Sequence, residues 1–296
     1  MASSPLSHLS LSIYQVDAFA SAPFSGNSAA IVPLPDHKWL SEEAMLHIAM
    51  ENNLAETAFL YPDEEKEELY HLRWFTPTVE VDLCGHATLA SAHVIYAHLD
   101  YSSPSVSFQT RSGILTVTRQ EGGSPIYIMD FPLDTLVEHA LTEQKAAILY
   151  KGLGVQGVGE GHEVAVIVRG KSDLVVEMHS VEHVTSLSPT FSDLAKVEGR
   201  GVIVTARAKD DPNTDIVSRF FAPQSGIDED PVTGSAHTTL AAYWSAKLGK
   251  KSLRGYQASK RGGFVDMMVG EGERSGRVEL RGGACTYMTG TIYLPL

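Results

Sequence analysis

Arg73-Trp74-Phe75-Thr76-Pro77 returns as Arg219-Phe220-Phe221-Ala222-Pro223, displaced by 146 positions (219 − 73), about half of the 296-residue chain. After each copy comes an acidic stretch, Glu80-Val81-Asp82 or Asp228-Glu229-Asp230. A glycine then opens an apolar, helix-like segment, Gly85-His86-Ala87 or Gly234-Ser235-Ala236. The glycines are displaced by 149 (234 − 85), so a three-residue insertion in the second connection reconciles the two offsets. Order is kept through strand, proline, acidic turn, glycine and helix, as in an internal repeat whose loops have drifted.

The two helix-like segments share an unusual composition. Ala87 to Tyr96 carries no charged residue, and Ala236 to Leu248 is short of charge until Lys247. A helix that is apolar or small all round must be surrounded by protein. The expectation is therefore an α+β chain of two similar domains, each wrapping a mixed sheet or barrel about one central apolar helix. The halves are placed at 1–125 and 126–296, with the last strand free to pack on the N-terminal domain. At this length each half can bury its own core.

Strands are expected where Val, Ile, Phe and Tyr concentrate: Ser12–Phe19, Ala29–Pro33, Leu54–Leu60, Tyr70–Phe75, Gly113–Thr118 and Ile126–Phe131 in the first half. In the second half they are expected at Glu163–Arg169, Gly201–Ala206, Ile216–Ala222, Gly263–Val269, Arg277–Arg281 and Thr291–Leu294. Ser41 caps a predicted helix whose Glu42 and Glu43 suit its N-terminus. Met45, Ile48 and Ala49 form its inner face, and Asn52-Asn53 stops it.

A formal charge of −13 with no basic segment argues against nucleic-acid binding. No apolar run approaches the roughly 20 residues that span a bilayer. Met1 to Ser12 lacks the basic and apolar parts of a signal peptide and reads as a loose tail. Two cysteines, Cys84 and Cys285, make no disulfide scaffold and point to a reducing, cytoplasmic setting. The acidic run Asp63 to Glu68 reads as a solvated loop.

Glu56 lies in Asn53-Leu54-Ala55-Glu56-Thr57-Ala58-Phe59-Leu60, where period-two alternation places it with Leu54, Ala58 and Leu60. Burial on that face would raise its pKa and give a group able to take and return a proton near neutrality. The alternative is a solvent-facing glutamate on an edge strand. Gly85-His86 and Gly234-Ser235 open the two helices, where free N–H groups and the positive dipole end can hold an anion. Two such ends facing each other would clamp a carboxylate. Asp230 can orient a donor, relay a proton, or simply cap its turn. Cys84 can serve as a thiolate base or be buried as a small hydrophobe. Asp82, Cys84 and His86 do not make a recognised zinc pattern, and no metal is expected.

Tyr14-Gln15-Val16-Asp17-Ala18-Phe19 with Pro23-Phe24-Ser25-Gly26-Asn27 resembles the opening of the PhzF (phenazine biosynthesis) family. Asn53-Leu54-Ala55-Glu56-Thr57 resembles its catalytic-glutamate block. Cys84-Gly85-His86-Ala87-Thr88 and Asp230-Pro231-Val232-Thr233-Gly234-Ser235-Ala236 resemble its two helix starts. The resemblance runs from about Ile13 to Leu294 and implies the diaminopimelate-epimerase-like fold. It further implies an isomerase without metal or organic cofactor, a small carboxylate-bearing substrate held in the cleft between the two domains, and a homodimer. By that resemblance Glu56, His86 and Asp230 are the catalytic residues, and Gly85, Gly234 and Ser235 bind substrate. Cys84 stands where diaminopimelate epimerase has one catalytic cysteine. The turn before Gly234 has no second thiol, which disfavours a two-thiol racemase. A racemase using Cys84 with Glu56, or a non-catalytic binding or scaffold protein on the same fold, are the alternatives.

Overall fold

A computed structural model describes residues 8–120, 122, 125–138 and 141–295. Of the expected tail, residues 1–7 lie outside the described residues. His8 to Ser12 are not loose: they begin the first strand, with Leu9 opposite Leu294 and Leu11 opposite Ile292. The apolar alternation Leu9, Leu11, Ile13 is what holds them there, since all three join the core on that side.

The chain divides into two compact units, residues 1–129 with 282–296 and residues 130–281. Unit 1 contains β1 (His8–Ala18), β2 (Asn27–Pro33), α1 (Glu42–Asn52), β3 (Glu56–Pro62), β4 (Leu69–Phe75), β5 (Glu80–Val81), α2 (Gly85–His98), β6 (Ser105–Thr110) and β7 (Gly113–Arg119). β8 (Ile126–Pro132) follows. β2 runs parallel to β3, β4 lies antiparallel to β3 and parallel to β6, and β6, β7 and β8 follow antiparallel. The last strand pairs with both β8 and β1, and β1 with β2, so eight strands close into a barrel.

Unit 2 repeats this order. It contains β9 (Val137–Glu138), α3 (Glu143–Leu153), β10 (Val164–Arg169), β11 (Asp173–Met178), α4 (Val181–Thr185), α5 (Phe191–Leu194), β12 (Gly201–Arg207) and β13 (Ile216–Ala222). β14 (Ile227–Asp230), α6 (Gly234–Leu248), β15 (Ser252–Gln257), β16 (Gly263–Val269) and the start of β17 (Arg277–Pro295) complete it. β11 runs parallel to β12, and β13 lies antiparallel to β12 and parallel to β15, the pattern of β2, β3, β4 and β6.

Side chains repeat with the topology. Arg73 forks onto Glu80 at 2.7 and 2.6 Å, with its guanidinium 5.3 Å from the Phe75 ring centre. Arg219 forks onto Glu229 at 2.7 and 3.0 Å, 4.9 Å from the Phe221 ring. Such bidentate pairs fix a planar geometry. Each pins the short strand before its apolar helix to the strand that precedes it. The inserted residues of the second copy lie between Arg219 and Glu229, where a 3-10 turn, Pro223–Ser225, precedes β14.

α2 is enclosed, with every residue from His86 to Tyr96 buried. α6 is enclosed from Gly234 to Trp244 on its inner side, while Ala246 and Lys247 are exposed. α1 follows its predicted signals: the Ser41 hydroxyl accepts the Ala44 N–H at 3.2 Å, and Asn53 closes the helix in the left-handed region at φ 48°. Met45, Ile48 and Ala49 pack on Phe59, Phe75, Ala30 and Val32. Six strands depart from expectation, and three of them, β5, β9 and β14, are only two to four residues long. β6, β11 and β15 are short or charge-bearing, and the sequence disguises them. β11 is buried throughout because its Asp173 and Glu177 are paired with Arg200 and Lys247. The two strands expected at the C-terminus are one, β17. Its glycines at 282, 283 and 290 break the apolar pattern, but β16 pairs with it up to Arg281 and β1 from Ala284.

Candidate active site

In unit 1 the chain turns at Gly26 (φ +67°), where a Cβ would lie 2.1 Å from the Ala18 carbonyl oxygen, so only glycine lets the loop come this close. The turn delivers Asn27 to the head of β2. Glu56 heads β3 opposite Ala29. Phe59 and Tyr61 belong to the cluster under α1, so alternation sends Glu56, Ala58 and Leu60 to the other face. Both faces of β3 are buried, so Glu56 is enclosed at 8% exposure. It is not a solvent-facing edge glutamate.

The start of α2 supplies the partners. Cys84 is the N-cap, without a side-chain capping bond, and Gly85 and His86 are the first two helical residues. The Thr88 hydroxyl donates to the Cys84 carbonyl at 2.6 Å and fixes this turn. His86, 7% exposed, places Nε2 2.9 Å from Glu56 Oε2. Neither atom makes a well-directed hydrogen bond. On the other side of the ring, Nδ1 lies 3.3 Å from Asn27 Nδ2 and 3.5 Å from Cys84 Sγ. Unit 1 thus brings together Glu56, Cys84, Gly85 and His86, and adds Asn27, which sequence patterning did not single out. The acidic residue of the neighbouring turn, Asp82, is exposed and faces Arg111.

The charge state differs from the expectation of a carboxyl raised by burial. Burial does push Glu56 up, but the facing His86 charge, with the close approach of His86 and Cys84, outweighs it, and the carboxyl sits below its ordinary value. Burial pulls His86 down, and the neighbouring Cys84 sulfur and Glu56 carboxylate lift it well above its ordinary value. Burial and the Glu56 charge push the Cys84 thiol up, so it is protonated at neutral pH and the carboxylate is the true counter-charge of the imidazole. Both directions favour a carboxylate facing an imidazolium, held out of water.

In unit 2, Asp230 ends β14, and Gly234 and Ser235 begin α6. Asp230 accepts from the Thr233 hydroxyl at 2.5 Å, and its carbonyl accepts from Gln257 Nε2 at 2.7 Å. Gln257 Oε1 accepts the Thr233 N–H at 2.9 Å, so one buried side chain holds both ends of the turn. The Ser235 hydroxyl accepts from Arg200 Nη1 at 2.9 Å, while Arg200 is forked onto buried Asp173. Gln257, Arg200 and Asp173 went unnoticed in the sequence, because their contacts bridge 24 to 35 residues with no motif.

A family profile described as phenazine biosynthesis-like protein matches residues 16–290. An uncharacterized isomerase of Pseudomonas aeruginosa is 44% identical, covering 97% of this chain and 100% of its own. A mouse phenazine biosynthesis-like domain-containing protein is 37% identical over 96% of this chain and 99% of its own. A crystal structure of a PhzF-family protein from Enterococcus faecalis superposes with a TM-score of 0.85 at 39% identity, covering 97% of this chain and 100% of that one. A hydroxyproline epimerase from Agrobacterium vitis, 10% identical at a TM-score of 0.56, shares the fold alone.

Proposed function

Because this chain belongs to the phenazine biosynthesis-like family, we propose that it is an isomerase that moves a proton between two carbons of a small carboxylate-bearing metabolite, with Glu56 as the acid/base group and no cofactor in the step. The observation that carries this reading is the buried Glu56–His86 pair at the start of α2, 2.9 Å apart with no well-directed bond between the two atoms.

Glu56 begins as the carboxylate, so it takes the proton first. It abstracts hydrogen from carbon α or γ to an electron-withdrawing group, the electron pair delocalises into that group, and the same carboxyl returns the proton at the far carbon. His86, as imidazolium, keeps the carboxylate ionised until substrate arrives and then offers Nε2–H to the developing negative charge. The free N–H groups at the Gly85-His86 helix start favour the same charge. Asp230, Gly234 and Ser235 belong to unit 2 and are assigned a substrate-binding and assisting role on the strength of the family resemblance.

Racemisation with Cys84 as a second acid is the other reading, favoured by the sulfur lying 3.5 Å from His86 Nδ1. Its protonated state suits an acid that delivers a proton more than a base that removes one.

The test is incubation of the protein in D2O with a panel of small unsaturated amino and carboxylic acids, with deuterium uptake read by mass spectrometry. Uptake that falls by about 10²- to 10⁴-fold in Glu56→Gln supports the assignment. Undiminished uptake in that variant removes it. Cys84→Ala retains uptake if isomerisation is the reaction and loses it if the thiol is a proton carrier.

A further inference from the structure

The sequence offers Asp82, Cys84 and His86 at alternate positions, which is no metal pattern, and folding changes the membership of the group. Asp82 turns to the surface, and Glu56 arrives from β3 in its place. One ligating atom from each of Glu56, Cys84 and His86 then lies within 4.8 Å of the other two. All three residues are more than nine-tenths buried, at 8, 6 and 7% exposure. Glu56 Oε2 and His86 Nε2 both lack a directed hydrogen bond.

We propose that Glu56, Cys84 and His86 form a three-ligand site for a borderline-soft divalent cation, with Zn2+ as the type, whose occupancy blocks the acid/base pair. A carboxylate, an imidazole and a thiolate are the donor types that such an ion prefers, and three protein ligands with one open position is a common arrangement. At ordinary bond lengths of about 2.0–2.3 Å the donors of a tetrahedral face are about 3.3–3.7 Å apart. The 2.9 Å contact joins Glu56 Oε2 to His86 Nε2 and the 3.5 Å contact joins Cys84 Sγ to His86 Nδ1, so the His86 ring must turn to present one nitrogen to both partners, within a group whose three donors already lie within 4.8 Å of one another. Binding replaces the thiol proton and the imidazolium proton, both of which pass to the buffer, and no electron transfer is involved. The bound ion holds the carboxylate and imidazole that proton transfer needs, so the cation is an inhibitor. The site stands on the placement of its donors whether or not Glu56 is catalytic.

The experiment is titration of the tag-free, chelator-treated full-length protein with Co2+, followed by absorbance, with Zn2+ competition. One equivalent should bind and produce a near-ultraviolet thiolate-to-cobalt band that Zn2+ abolishes. Cys84→Ser should lose the band and bind at least about 10-fold more weakly, while Cys285→Ser keeps both. X-ray absorption of the Zn2+-loaded wild type, which needs no variant, should find one sulfur among oxygen and nitrogen scatterers. A band that survives in Cys84→Ser, a sulfur-free shell, or no saturable binding at tenfold excess overturns the site. Because binding is read without turnover, a protein that binds the ion but fails the deuterium test refutes the proposed reaction alone.

Discussion

The starts of α2 and α6 occupy the same place in two repeated units, and they are built to opposite ends. Both N-caps, Cys84 and Thr233, lack a side-chain capping bond. In both, the fourth residue onward donates back to the cap carbonyl, Thr88 at 2.6 Å and His237 at 2.8 Å. Ala29 faces Glu56 in unit 1, and Asp173 faces Gly201 in unit 2. Where unit 1 carries a glutamate, unit 2 has a glycine whose absent Cβ makes room for the Phe220 ring. Where unit 1 has Ala29 and Ala55, unit 2 has the Asp173–Arg200 ion pair, whose free arm holds Ser235. One start keeps a buried carboxylate–imidazole pair with undirected atoms, and the other has its charges matched and its turn bonded. The repeat supplies the frame twice, and the reaction proposed above puts its proton-transferring group in one copy of it.

The largest effect expected is on chemistry. Glu56→Gln keeps the shape of β3 but removes the proposed proton carrier, so deuterium uptake should fall by about 10²- to 10⁴-fold, while the matching Gly201→Ala in unit 2 leaves it within a few-fold. Equal losses in both would break the contrast between the units.

The next effect is on stability. Arg200→Ala leaves Asp173, at 2% exposure, without its counter-charge. Removing one partner of a buried pair costs about 3–5 kcal/mol, and since the Arg200 side chain is 41% exposed we expect about 2–3 kcal/mol. Denaturant unfolding of the variant measures this, and the double variant Asp173→Asn/Arg200→Ala should recover part of the loss. A smaller loss follows for Gly201→Ala, because the new Cβ would sit 2.5 Å from the Phe220 ring and 2.9 Å from the Phe221 carbonyl oxygen. Overpacking of that kind costs about 1–3 kcal/mol. A neutral Gly201→Ala would mean that β12 shifts freely and that Glu56 has no sterically fixed counterpart.

The smallest effect is in pH dependence. The depressed Glu56 contributes stability fully above its ordinary value of 4.5 and loses it as pH falls through its folded value. The raised His86 contributes fully below its ordinary 6.5 and loses it as pH rises through its folded value. Both are complete between those two limits. The melting-temperature gap between wild type and Glu56→Gln/His86→Gln should therefore be widest at pH 4.5–6.5 and narrow on either side. A gap that does not vary with pH would remove the ion pair.

Much of the frame was legible because its signals are local or repeated. The Arg-Phe-Pro echo, the acidic turn and the two charge-poor helices pointed to paired units, and Ser41 and Asn53 marked α1 to within a residue. β11 was hidden because Asp173 and Glu177 look like surface charges until Arg200 and Lys247, 27 and 70 residues away, are brought to them. The site divides in the same way. Glu56 and His86 stand out in their motifs, but the sign of the Glu56 shift depends on a histidine 30 positions on, and strand alternation carries no information about it. Asn27 escaped for the same reason: its contact with His86 spans 59 residues and is made by the Gly26 turn.

The account rests on an imidazolium at residue 86 facing an ionised Glu56, and histidine-labelled NMR reads it without any substrate. The ring nitrogen shifts of His86 in the wild type should report a doubly protonated ring at pH 7.5, and the Glu56→Gln variant should titrate at a lower pH. A His86 that is neutral at pH 7.5 in the wild type, or whose titration ignores the loss of the Glu56 charge, would contradict it.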